Sequence, residues 1–135
     1  MDLYISSFVL GTNALHAFLK HYIPYGISFT ALTITSILYH TSAKDDSLYV
    51  STLFWLDQCV IYTIFVIGLY YTFQIPPLQL IAAIISISLC ALYYKYGYIT
   101  NQYCWDPQFG TLYHNAMHII GSFGHHAILL GLQSS

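Results

Sequence analysis

Long apolar runs separated by short polar breaks make up nearly the whole chain. A helix needs about 20 apolar residues to cross the hydrocarbon core of a bilayer, with about 17 to 25 tolerated. Five segments come near that length. The first runs from Leu3 to Leu19, interrupted by Asn13 and His16, and Lys20, His21 and Pro24 predict a short polar turn after it. The second runs from Tyr25 to His40 and gives way to Thr41-Ser42-Ala43-Lys44-Asp45-Asp46, the most polar stretch and a predicted loop. The third, Leu48 to Phe73, stops before Pro76-Pro77, because proline lacks an N–H and restricts the residue before it. The fourth runs from Leu78 to Tyr94. A loop from Lys95 to Pro107 is expected next, its tyrosines and Trp105 being the amphipathic aromatics favoured at a membrane interface. The fifth runs from Gly110 to Leu132. The prediction is an all-α fold over residues 1–135, a single polytopic transmembrane bundle of about five spanning helices.

Composition strengthens that reading. Hydrophobic residues make up 57% of the chain and charged ones only 6%, against about 25% charged in an ordinary soluble domain. With three lysines, five aspartates and neither Arg nor Glu, the chain cannot clothe a soluble fold in charge. A net charge of −2 offers no basic patch to a phosphate backbone, which excludes nucleic acid as a partner. The acidic start, Met1-Asp2, and the lack of a small-residue cleavage site argue for a first helix rather than a signal peptide. Cys59, Cys90 and Cys104 are odd in number and scattered, so they read as apolar fillers rather than a disulfide or CxxC framework.

Short connections force neighbouring helices to alternate in direction. The N-terminus, the loop after the second helix and the loop after the fourth then share one side. That side carries Lys44, Lys95 and the free amine, the other only Lys20, so the positive-inside rule predicts a cytoplasmic N-terminus.

An ionisable residue inside a bilayer is costly and by default functional. Ser36 and His40 form Ser-x-x-x-His in the last turn of the second helix. His114 and His118 form His-x-x-x-His near the start of the fifth. The i, i+4 spacing puts each pair on one helix face. Asp57 lies a few turns into the third helix. Since the second helix ends on the side where the third and fifth begin, His40, Asp57, His114 and His118 are expected in one half of the membrane. Three imidazoles at one depth point to a metal. Three neutral imidazoles leave a fourth tetrahedral position open, the arrangement of a catalytic zinc, and a carboxylate nearby can orient or deprotonate the bound water.

Each signal has a plainer reading. Ser36 can simply bond between helices, Asp57 can pair with Lys44 near the interface, and His-x-x-x-His recurs by chance. His16 and His21 fall toward the opposite face and read as interfacial or packing residues. His125 lies on the face of His118 but about 10 Å along the axis, beyond a shared ion. His126 points away from that face, and the tyrosines read as belt and packing residues.

Taken in order, Ser-Ile-Leu-Tyr-His at Ser36 to His40, then Leu56-Asp57, then His114-Asn-Ala-Met-His118 resembles the signature of the CREST membrane hydrolase superfamily. That superfamily includes alkaline ceramidases, adiponectin and progestin receptors, GPI-remodelling lipases and myomaker-like proteins. The stretch from His114 to His126, with Gly121 and Gly124, looks most like the ceramidase version. The resemblance covers the second, third and last helices. It implies zinc on His40, His114 and His118, with Ser36 and Asp57 supporting the bound water and the substrate. Members typically have seven spanning helices, and this chain has room for about five. Losing two between the third and the last keeps the last one's direction, although it removes part of the expected substrate cavity.

The resulting expectation is an integral multi-pass protein, with an endomembrane favoured, acting as a zinc-dependent hydrolase of an amide or ester bond in a bilayer-borne lipid of the ceramide kind. Two alternatives stand beside it: a non-catalytic receptor or membrane-remodelling protein with a structural zinc, and a b-type haem protein with two axial histidines.

Overall fold

The computed structural model describes residues 3–42, 47–100 and 110–133, with only the backbone of 97–100. Lys44, Cys104 and Trp105 lie outside the described residues, so neither the Asp57–Lys44 pairing nor an interfacial position for Trp105 enters the description. The elements among the described residues are α1 (Leu3–Leu19), α2 (Ile23–Ser42), α3 (Leu48–Thr72), α4 (Pro77–Thr100) and α5 (Gly110–Gly131), all α-helical. The all-α expectation holds, and two boundaries are corrected.

Pro24 sits inside the first turn of α2 rather than in the turn before it. An N–H has no helical partner in a first turn, so proline costs nothing there. The residues Lys95 to Thr100, expected to open a loop, continue α4. Tyrosine and lysine do not break a helix, and no proline intervenes.

The turn between α1 and α2 has its own device. The Tyr22 N–H reaches the Ala17 carbonyl at 2.9 Å and the His21 N–H reaches that of Phe18 at 3.0 Å. These two bonds form a Schellman motif, whose left-handed position is normally glycine. Here it is His21, at φ 64°. Ser47 caps α3 by accepting from the Val50 N–H at 3.3 Å.

The helices pack in the order α3, α2, α1, α5, α4, with α1 seated between α2 and α5 and α3 approaching α5 over a short stretch. Tyr25, Phe29, Ala17, Ile128 and Leu129 fill the centre. Two close approaches depend on glycine. A Cβ on Gly124 would lie 2.7 Å from the Ser86 Cβ, so α4 and α5 meet through small residues, the usual solution where helices associate without a hydrophobic driving force. A Cβ on Gly68 would lie 3.1 Å from the Tyr25 hydroxyl and 3.3 Å from His125 Cε1, where α3 touches α5.

Two helical stretches, Leu48–Thr72 and Pro77–Tyr96, are long and apolar enough to cross a membrane. α1 is apolar but shorter. Serines, threonines and histidines interrupt α2 and α5, and it is these that build the site.

Candidate metal centre

Three of the five predicted site residues come together. His40 is near the end of α2, and His114 and His118 are in the first turns of α5. One ring nitrogen from each lies within 4.8 Å of the others. The His40 and His114 rings meet edge to face with centroids 4.6 Å apart, His114 and His118 do the same at 4.7 Å, and His40 and His118 are 5.5 Å apart. Small ring rotations bring such nitrogens to the spread of one coordination sphere, with metal–nitrogen bonds of about 2.0–2.1 Å. Among the described residues no other three metal-ligating side chains converge this way. The group can hold a metal ion, and imidazole is a donor suited to zinc, copper, iron or nickel.

The i, i+4 spacing on α5 does the local work by stacking His114 over His118 on one face. His40 arrives from a different helix because α2 runs opposite to α5. Its position in the final turn of α2 matches the depth of the first turns of α5.

No family model, curated protein or solved structure matches the chain. The site is therefore read from its own geometry.

Ser36 and Asp57 are held by partners that the spacing arguments did not include. Ser36, 2% exposed, shares a 2.8 Å hydrogen bond with the Ser7 hydroxyl of α1. The Asp57 carboxylate, also buried, accepts from Thr35 Oγ1 at 2.9 Å. Thr35 and Ser36 are neighbours on α2 one turn before His40. Asp57 is not a member of the histidine group. Ser6 of α1, completely buried, places its hydroxyl 2.7 Å from His118 Nδ1.

Three of the remaining histidines, His16, His125 and His126, pair with neighbouring side chains, and His21 is exposed. His125 pairs through Nδ1 with the buried Tyr25 hydroxyl. His126 stacks on His16 at an interplanar angle of 26°, their Nδ1 atoms 2.8 Å apart, and its Nε2 meets Thr12 Oγ1 at 2.9 Å. Between this pair and the metal centre, the Asn13 amide donates to Ser122 Oγ at 2.6 Å. The α1–α5 seam is thus polar at three successive levels of α5, Ser6 with His118, Asn13 with Ser122, and His16 with His126. Cys59 and Cys90 are free thiols, and Cys90 Sγ points at the Met117 carbonyl 3.6 Å away.

Proposed function

We propose that the protein is a multi-pass membrane hydrolase that holds one zinc ion on His40, His114 and His118 and cleaves an amide or ester bond in a lipid reaching the site from the bilayer. The convergence of three imidazoles from two helices carries this reading. Every helix also presents large aliphatic or aromatic side chains outward, among them Phe8, Ile27, Val66, Ile81 and Leu130. Exposure of that kind all round a bundle suits lipid as the solvent.

Zinc in such a site supplies a Lewis acid and lowers the pKa of its water to about 7. The chain's own residues do the rest. The three histidines act as neutral donors. Asp57, held by Thr35, takes a proton from the attacking water and returns it to the leaving group, as a general base and then acid. Ser36, whose hydroxyl hydrogen goes to Ser7, offers its remaining lone pair as an acceptor to the attacking water. The ordered resemblance to the CREST signature supports these roles and a ceramide-like substrate class.

One observation favours a second reading. The backbones of α2 and α5 do not pack closely. The two helices meet through side chains, His40 with His114 and His118 at one end and Tyr25 and Phe29 with His125 at the other, so an ion shared by His40 and the α5 pair would clasp them at the first of these contacts. A structural zinc in a receptor or membrane-remodelling protein fits that geometry. A haem fits less well, because His40 and His114 touch edge to face and leave no slot for a macrocycle. Hydrolysis of a panel of amide- and ester-linked lipids by the purified protein separates the two zinc readings. The hydrolase reading expects turnover that disappears in Asp57→Ala while zinc stays bound; turnover that persists in Asp57→Ala removes Asp57 from the chemistry, and turnover missing from the zinc-loaded wild type favours the clasp.

A further inference from the structure

We infer that Ser6 is a positioning residue of the metal centre, fixing the tautomer of His118 so that Nε2 carries the lone pair offered to the ion. This rests on the three histidines holding a metal.

The assignment follows from counting hydrogens. Ser6 Oγ lies 2.8 Å from the Leu3 carbonyl and 2.7 Å from His118 Nδ1. A hydroxyl has one hydrogen to donate, and a carbonyl oxygen has none. The contact with Leu3 therefore consumes the Ser6 hydrogen, leaving only Oγ lone pairs for His118. His118 must supply the hydrogen, so its proton is on Nδ1. A neutral imidazole has a single N–H, and Nε2 is left as the acceptor nitrogen. Ligating histidines generally donate their other N–H to an oxygen in this way, which fixes ring orientation and raises ligand basicity. Ser6 is completely buried, so no solvent competes for the bond.

The same count at Thr12 gives a useful contrast. Thr12 Oγ1 donates to the Val9 carbonyl at 2.6 Å, so it accepts from His126 Nε2, and His126 Nδ1 then accepts from His16. There the freed nitrogen is spent on another imidazole. At His118 it remains available. Ser7 uses the same Leu3 carbonyl at 3.1 Å while meeting Ser36. The first turn of α1 thereby fastens one residue of α5 and one of α2, the two helices that supply the ligands.

The test compares wild type with Ser6→Ala and Ser6→Thr, with Ser122→Ala as a variant that removes an α1–α5 hydrogen bond away from the site. Zinc affinity by chelator competition is expected to fall about 10- to 100-fold in Ser6→Ala, the usual effect of removing such a partner. Ser6→Thr, which keeps the hydroxyl, should recover most of it, and Ser122→Ala should leave it unchanged. Nitrogen-15 NMR of the metal-free protein, with His118→Gln to assign the ring, should show His118 protonated at Nδ1. Equal zinc affinity in wild type and Ser6→Ala, or a proton on Nε2 in the metal-free wild type, overturns the assignment while the metal site stands. Failure of the wild type to take up zinc overturns both, so the two failures are distinct.

Discussion

The ring of His40 at the end of α2 packs edge to face against that of His114 at the start of α5, with centroids 4.6 Å apart, although α3 and α4 separate the two in the sequence. Their meeting depends on alternating helix direction rather than on any local motif. A cation bound by these two and His118 would join helices whose backbones do not pack closely.

Zinc should therefore stabilise the bundle measurably. A ligand that binds only the folded state adds about 2.7 kcal/mol at 100 times its Kd. Thermal unfolding in detergent should shift upward with zinc and downward with a chelator, and His40→Ala should abolish the shift.

Acid should release the ion. Imidazole ligates only when neutral, so protons compete with the ion for each ring nitrogen as the pH falls. Zinc content after equilibration is expected to be full near neutrality and to fall on acidification, and a content that stays constant down to the pH at which the bundle unfolds would count against imidazole ligation.

Gly124 is a close approach between α4 and α5. A Cβ there would lie 2.7 Å from the Ser86 Cβ, so Gly124→Leu should cost about 1–3 kcal/mol by overpacking. Gly124→Ala together with Ser86→Gly should recover part of the loss. Denaturation in mixed micelles measures both.

At His21 the backbone is left-handed, with φ 64°. Glycine is at ease in that position of a Schellman turn and histidine is not. His21→Gly should stabilise by about 0.5–1 kcal/mol without altering metal content, and a loss of stability would mean that the His21 side chain is needed for packing.

Much of the helical layout was legible in the sequence because the apolar runs are long and proline or a polar cluster ends them. α1 matches Leu3 to Leu19, and α3 and α5 each run within a residue of expectation. The end of α4 was less legible, because tyrosine and lysine read equally as an interfacial loop or as an interfacial helix. His40, His114 and His118 were legible through spacing combined with alternating direction. The same alternation puts the first turn of α1 at their depth, which was the available signal for Ser6 and Ser7. Serine is common in membrane helices as a bond to its own backbone, as at Ser28 with the Pro24 carbonyl, so its type alone reveals nothing. Thr35 was hidden for the same reason, and its role appears only once Asp57 is seen beside it.

Metal content per chain in purified wild type, His118→Ala and His125→Ala tests the centre most directly. His125 is bound to Tyr25 and takes no part in the cluster. One zinc in the wild type and in His125→Ala, with none in His118→Ala, is the expected result. Equal metal in all three proteins, or none in the wild type, would contradict it.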